Sequence, residues 1–396
     1  MIVSIIEKVY SFLWGDLIRI PLPSGGSLGI SLLIILLIPT GVYFTIRTRF
    51  LPVRLFPDMI RSLTGKKKNE NSLSTFQTLI VSTATRVGMG NLVGVVAAIS
   101  AGGAGAVFWM WVTAIIGSST AFVEATLAQL HKEEDPLYGG YRGGPAYYIH
   151  HFFEEKFGKK KKHVIIAVLF AISGLICWCG ISQVISNSVT SSFENAFGIR
   201  QAAAGGFGAV LMNGIKRGLF SNEAGSGSAP CAAAAAECDT PVRAGLTQAL
   251  GVFIDTIVIC SCTAMIMLTA PQNVINGKEG MDLLQSAMGY HLGGFGVVFI
   301  AITLFLFSFS TFLGILFYAR SNVAYLFGDK WIWQTLYKVL ALVMLFIGGI
   351  AAYTFVWDLG DVGIGLMTIF NTGILYLPGG QAVKVLRDFE DGKNIK

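Results

Sequence analysis

Two glycine-rich polar stretches interrupt apolar segments of this chain. In the first, at 85–91, Gly88, Gly90 and Asn91 combine adaptable backbone with one amide side chain. Glycine permits close approach of a ligand and positive φ angles, so free backbone groups here could bind a carboxylate, an ammonium group or a cation. The alternative is that these glycines only let helices pack closely. We expect binding, because an amide and a second interrupted segment accompany them.

The second stretch, at 218–230, contains Asn222, Glu223 and Gly225 among serines and further glycines. Asn222 and Gly225 offer hydrogen-bonding groups for a substrate. Glu223 adds a carboxylate, which is costly at membrane depth unless it has a partner or a function. The basic residues that could pair with it are Arg86, Lys216 and Arg217. A structural ion pair and direct contact with substrate or ion both stay open for Glu223.

Polar residues in other apolar segments could complete the same site. Asp255 could bind sodium through hard oxygen ligands or make a structural hydrogen bond. Glu124 lies nearer the expected cytoplasmic end of a helix, which favours snorkelling or a gate contact. Ser308, Ser310 and Thr311 could contact sodium or substrate, or bond back to their own helix. Ser308 and Thr311 share a helix face, whereas Ser310 points elsewhere.

The composition makes lipid the solvent for most of these segments. Of the 396 residues, 53% are hydrophobic and 13% are charged, whereas soluble domains carry about a quarter charged residues. The apolar residues form blocks long enough to cross a bilayer core. Polar backbone at that depth persists only where protein or a water-filled cavity surrounds it. Two such interruptions in different halves of a chain therefore indicate the binding site of a carrier.

The apolar blocks predict an all-α polytopic membrane protein with about nine spans. The blocks are 29–46, 76–100, 105–130, 163–185, 205–235, 244–270, 293–318, 333–355 and 360–379. Lys and Arg concentrate in the loops that alternate spans place on one side, which puts the N-terminus outside and the C-terminus in the cytoplasm. The predicted regions are an N-terminal interfacial segment at 1–28, a transporter domain at 29–380 and a cytoplasmic tail at 381–396.

Residues 2–20 predict a short amphipathic helix that lies in the membrane interface and is not a removable signal. Leu13 and Trp14 are among the apolar residues available for that interface.

Other functions find little support in the sequence. The net charge of +6 could suggest nucleic acid, but the basic residues lie between apolar blocks and not on one face. We find no phosphate-binding loop, no zinc-protease motif and no nucleophile with an oriented histidine, so we expect no enzyme and no cofactor. The six cysteines have no zinc-site spacing.

Several motifs resemble the sodium:alanine symporter family, also called alanine or glycine:cation symporters. The 102–117 run, GGAGAVFWMWVTAIIG, is similar to the family's diagnostic stretch throughout. Further similar blocks lie at 86–94, 143–148, 217–230, 251–263 and 357–371. The resemblance implies sodium-coupled symport of a small neutral amino acid. Alanine is the first candidate, and glycine and serine are the alternatives. It implies sodium as coupling ion, membrane lipid as surroundings, and the inverted-repeat helix bundle of the amino-acid/polyamine/organocation superfamily.

The chain departs from the family pattern at one place. The family implies about eleven spans in two inverted repeats and one extra N-terminal helix. Here the flanks of two core helices almost touch, with the deletion point near 199–202. Loss of an even number of spans leaves the later segments in their usual orientation. It also raises a second hypothesis, a truncated and transport-incompetent member that acts as a membrane-bound relic or binding protein.

Overall fold

The protein is almost entirely helical in the computed structural model, which describes residues 2–21, 27–64, 72–87, 89–158, 160–197, 217, 219, 221–350 and 353–394. The α-helices are α1 Ile2–Trp14, α2 Leu32–Arg47, α3 Leu51–Arg54, α4 Phe56–Arg61, α5 Thr75–Arg86, α6 Val95–Leu130, α7 Pro145–Phe157, α8 Ile165–Phe197, α9 Ala229–Ala234, α10 Pro241–Val252, α11 Ser261–Leu268, α12 Gln272–Ile275, α13 Gly280–Phe327, α14 Trp331–Ile350, α15 Tyr353–Leu375 and α16 Gly379–Asn394. A 3₁₀ turn covers Ser62–Thr64, and π-helical segments cover Met89–Gly94 and Phe253–Cys260. Two small antiparallel pairs join β1 Ile18–Pro21 to β2 Ser27–Ile30 and β3 Glu133–Glu134 to β4 Tyr141–Arg142.

Five described helices are long and apolar enough to cross a bilayer, and two bent pairs raise that number to seven. The five are Gly103–Leu130, Ile165–Phe197, Pro241–Leu268, Gly280–Phe327 and Trp331–Ile350. The bent pairs are Thr75–Arg86 with Gly90–Ser100, at 51°, and Val356–Leu375 with Gly379–Gly392, at 64°. The chain is therefore a multi-pass α-helical membrane protein. The predicted count of nine stays a prediction, because residues 205–216 of the expected span at 205–235 lie outside the described residues.

The N-terminal segment differs from the single interfacial helix that the sequence predicts. Helix α1 ends at Trp14, and β1 pairs antiparallel with β2 where the helix was expected to continue. Leu13 and Trp14 are buried, and the Trp14 indole N–H donates to the carbonyl oxygen of Asp361 in α15 at 3.0 Å. These two side chains were wrongly assigned to the interface, because an apolar face predicts burial but does not say whether lipid or protein covers it.

Close packing of small residues builds the half of the bundle around α8. This helix packs against α13, α14 and α15. A Cβ added to Gly363 would lie 2.3 Å from the Cα of Cys177, and one added to Gly348 would lie 2.3 Å from the Cα of Gln183. Glycine at such contacts lets helix backbones approach, and the resulting van der Waals packing contributes to helix association where lipid removes the hydrophobic driving force.

The ends of the two interrupted segments on the predicted cytoplasmic side are tied together by backbone. The Leu73 N–H donates to Ala235 at 3.3 Å, and the Glu237 N–H donates back to Leu73 at 2.8 Å. The Gln129 amide of α6 donates to the Ala233 carbonyl at 2.5 Å, so the end of α9 is also fixed to α6. This short parallel bridge ties the start of the first interrupted segment to the end of the second.

The C-terminal region is a docked helix. Helix α16 begins at Gly379, and Ala382 and Leu386 on one of its faces are buried. Arg54 on α3 donates to Glu390 at 2.5 Å. The tail predicted at 381–396 therefore packs on the bundle over its described part.

Candidate functional site

The first interruption is a bend followed by a π-helical segment. Helix α5 ends at Arg86, and the chain resumes as π-helix at Met89. Gly90 does not have the positive φ that the sequence suggested, and Gly88 lies outside the described residues. A π-helical segment still frees backbone groups from the usual hydrogen-bond pattern and is frequent at functional sites. Asn91 lies within it and is fully buried.

The second interruption is a non-helical turn with three positive φ angles. They are 56° at Glu223, 92° at Gly225 and 81° at Gly227. A non-glycine residue in this conformation is strained and persists only when its surroundings hold it. The Ser228 hydroxyl donates to the Glu223 carboxylate at 2.8 Å, and this bond holds the turn before α9 begins.

The two interruptions meet inside the protein. The Ser221 hydroxyl donates to the side-chain oxygen of Asn91 at 2.6 Å. Among the described residues, the Asn91 amide nitrogen has no hydrogen-bond partner. The Asn222 amide donates to Thr256 at 3.1 Å, which attaches the second turn to the π-helical segment Phe253–Cys260. The breaks thus form one buried polar region with an unused donor.

Arg86 is the central cation of this region. Its side chain is fully buried and donates to Asp255 at 2.9 Å and to Gln248 at 3.3 Å. Its Nε lies 3.8 Å from the Glu223 carboxylate. Arg86 is therefore the basic residue, among the three candidates, that lies beside Glu223. A buried arginine with two carboxylates is stable only when each charge is paired and hydrogen-bonded.

The other basic candidates lie elsewhere. Arg217 pairs with Asp361 at 3.2 Å, and its guanidinium lies 4.2 Å from the centre of the Trp357 ring. Lys216 lies outside the described residues.

Glu124 does not extend toward a helix end, so the snorkelling interpretation is wrong. It is fully buried in α6 and faces the second turn. One carboxylate oxygen accepts the Gly225 N–H at 3.2 Å, and the other accepts the Asn371 amide. Backbone N–H groups of the turn need acceptors at this depth. The Glu124 carboxylate therefore turns inward to the Gly225 N–H and does not extend toward the helix end.

The three hydroxyl residues of α13 separate as their spacing predicts. Thr311 donates to the carbonyl oxygen of Ala84 in α5 at 3.0 Å, and Ser308 on the same face is buried. Ser310 donates to Phe307 in its own helix at 2.8 Å. Ser310 also borders an outer groove lined mainly by apolar residues such as Leu79 and Ile254. Ser310 is therefore not part of the buried region.

The pair Thr311 and Ser310 allows a matched test. Thr311→Val should lower the free energy of unfolding by about 1–3 kcal/mol, because it removes the hydrogen bond that holds the end of α5 against α13. Ser310→Ala should change the free energy of unfolding by less than about 1 kcal/mol, since its hydroxyl donates to its own helix. Thermal unfolding of both variants in detergent checks the expectation, and equal losses would contradict it.

The buried region carries an excess of carboxylates. Arg86 is its one cation among the described residues, and Asp255, Glu223 and Glu124 are its carboxylates. If all are ionised, more negative than positive charge lies in a low-dielectric interior, where uncompensated charge is costly. One Asp255 oxygen accepts no hydrogen bond from the described residues. A bound cation, or a proton on one of the carboxylates, would offset this charge.

Sequence reasoning missed several members of this region. They are Ser221, Gln248, Thr256 and Asn371. Asn371 could have been found, because a primary amide within an apolar span is itself a sign of a buried partner. Ser221 and Thr256 carry no comparable signal, since hydroxyls readily bond to their own helix.

The site and the fold together define a class of membrane carrier. Two interrupted helical segments meet at a buried polar region inside a multi-pass helix bundle, which is the arrangement of secondary transporters. The model of the sodium:alanine symporter family matches residues 24–199 and 183–396. The chain belongs to that family.

Curated relatives agree with this membership. The chain is 37% identical to the probable sodium/glutamine symporter GlnT of Bacillus subtilis, over 90% of this chain and 87% of that protein. It is 34% identical to the amino-acid carrier protein AlsT of the same organism, over 89% and 88%. It is 30% identical to the sodium/alanine symporter AgcS of Methanococcus maripaludis, over 98% and 97%. These relatives are transporters and not enzymes.

Proposed function

We propose that this protein is a sodium-coupled symporter of a small neutral amino acid, with alanine as the first candidate and glycine or serine as others. Family membership and the names of the relatives, which include alanine and glutamine carriers, support this proposal. The observation that carries it is the Ser221–Asn91 hydrogen bond, which joins the two interruptions at a buried site. Half-helix ends at such a site suit both a carboxylate and a cation.

The amino acid is proposed to bind between the two interruptions. Backbone near Gly90 and Gly225, together with Asn91 and Asn222, would contact its carboxylate and ammonium groups. The unused Asn91 amide nitrogen is a donor for the carboxylate. Thr311 would hold the end of α5 from the opposite side. Gly88 belongs to the same proposal by sequence alone.

Sodium is proposed to bind near the carboxylates. Asp255 offers an oxygen without a hydrogen bond from the described residues, and hard cations prefer oxygen ligands. Glu223 and Glu124 supply negative charge nearby, and Ser308 supplies a hydroxyl on the inner face of α13. Sodium binding would offset the excess negative charge of the site, which gives a physical reason for coupling.

The proposed architecture is an inverted-repeat bundle of about nine spans that lacks two core helices near 199–202. The alignment with GlnT runs over 422 positions although only 90% of the 396 residues take part. Several tens of positions in that relative therefore have no counterpart here. The regions 1–28, 29–380 and 381–396, the inner-membrane location, the outside N-terminus and the cytoplasmic C-terminus belong to this proposal.

The missing positions also support a second candidate, a member that binds substrate and does not transport it. Purified protein in proteoliposomes with an inward sodium gradient separates the two candidates. Sodium-driven accumulation of labelled alanine, abolished when the gradient is dissipated, supports symport. Saturable binding of alanine without accumulation supports the second candidate. If the protein neither accumulates nor binds alanine, glycine, serine or glutamine, the first candidate is overturned.

A further inference from the structure

Asn371 and Glu124 together bind the two backbone groups of Gly225 in the second turn. The Asn371 amide nitrogen donates to the Gly225 carbonyl at 2.9 Å and also to the Glu124 carboxylate. The Gly225 N–H donates to the other Glu124 oxygen at 3.2 Å. The N–H of Gly225 is therefore bound by a side chain of α6, and its carbonyl oxygen is bound by a side chain of α15.

Tyr148 fixes the orientation of that amide. Its hydroxyl donates to the Asn371 side-chain oxygen, which leaves the amide nitrogen to face Gly225 and Glu124. An asparagine amide can turn over and exchange its donor for its acceptor, and this bond opposes the exchange. Burial, together with the nearby Glu124 carboxylate, raises the pKa of Tyr148 well above its usual value, so the phenol keeps its proton.

The start of α7 also packs against the second turn and the beginning of α9. Gly144 precedes this helix with a φ of 121°, and a Cβ there would lie 2.7 Å from the Cys231 sulfur of α9. A Cβ on Gly227 would lie 2.6 Å from Pro145, the first residue of α7. Helix α7 thus contacts the turn by packing and, through Tyr148, by a hydrogen-bond chain.

We propose that Tyr148 and Asn371 are positioning residues for transport, through which α7 holds the Gly225 turn in the geometry that binds the amino acid. The inference rests on the proposed symport function. Neither residue needs to touch the substrate. Because the chain Tyr148–Asn371–Gly225 ends at the backbone, its loss displaces the site without removing a substrate contact.

Tyr148→Phe tests the proposal by removal of one hydroxyl, with Tyr147→Phe as the matched control. Tyr147 is the neighbouring buried tyrosine, and its hydroxyl donates to the Ser321 carbonyl at 3.1 Å, away from the turn. We expect Tyr148→Phe to raise the KM for alanine roughly tenfold, with maximal rate within about twofold. Tyr147→Phe should keep the KM of the unchanged protein. An unchanged KM in Tyr148→Phe, or an equal rise in Tyr147→Phe, overturns the proposal.

Hydrogen exchange separates this inference from the symport proposal. In purified protein, the backbone amides of 221–231 should exchange at least several-fold faster in Tyr148→Phe than in Tyr147→Phe. If the unchanged protein shows no sodium-driven uptake, the symport proposal fails and the exchange result still decides whether Tyr148 holds the turn. Equal exchange in the two variants overturns the positioning role.

Discussion

Arg86→Met should abolish sodium-driven uptake and lower the free energy of unfolding by about 3–5 kcal/mol, the typical cost of removing one partner of a buried ion pair. The variant would leave Asp255 and Glu223 without their cation at membrane depth. Methionine keeps much of the side-chain length, so the loss would reflect charge more than volume. Uptake in proteoliposomes and thermal unfolding in detergent measure the two effects.

Two further variants make the Arg86 result specific. Arg61→Met removes a cation from an exposed pair with Asp58, in which the arginine side chain is 80% exposed, and should change stability by less than about 1 kcal/mol. The double variant Arg86→Met with Asp255→Asn should recover part of the lost stability, because it removes one unpaired carboxylate. Wild-type stability in the single Arg86 variant would show that the pair is not coupled to folding.

Gly227→Val should destabilise the protein by about 2–5 kcal/mol and prevent uptake, since it combines backbone strain with overpacking. The φ of 81° disfavours any side chain, and the added Cβ would meet Pro145 and Phe170 at 2.6 and 2.9 Å. Pro145 begins α7, and Phe170 is fully buried in α8. Expression in membranes, thermal unfolding and uptake measure the result.

Gly373→Val is the matched control for Gly227→Val. A Cβ at Gly373 meets nothing within 4 Å beyond its own helix, and its φ is not positive. The change should cost no more than about 1 kcal/mol, the range of helix propensities. If both valine variants behave alike, the loss at Gly227 is a general effect of valine and not of the turn.

Much of the fold follows from the length of apolar blocks, and its exceptions have identifiable causes. The expected spans at 163–185 and 333–355 correspond to the helices Ile165–Phe197 and Trp331–Ile350. The antiparallel pair of β1 and β2 was not predicted, because hydrophobic periodicity does not describe which backbone segments pair. The angle of 51° at the first interruption likewise depends on packing.

The candidate site could be located from glycine, asparagine and carboxylate positions, but its connections could not. Sequence indicated two interruptions, and the structure joins them through Ser221 and Asn91. The sequence did not indicate which cation pairs with Glu223, because Arg86 and Arg217 both carry a guanidinium group and only the fold separates them. The position of Glu124 was misread for the same reason, since its partner Gly225 lies on a distant segment.

The parallel bridge between Leu73 and the end of α9 has an energetic consequence. It contains two backbone hydrogen bonds, each with a net contribution of about 1 kcal/mol. Breaking only these two hydrogen bonds would cost about 2 kcal/mol. A form without the bridge, here called the unlatched form, would therefore have a population of a few per cent. A ligand that binds the unlatched form roughly a hundredfold more tightly would make it the dominant species.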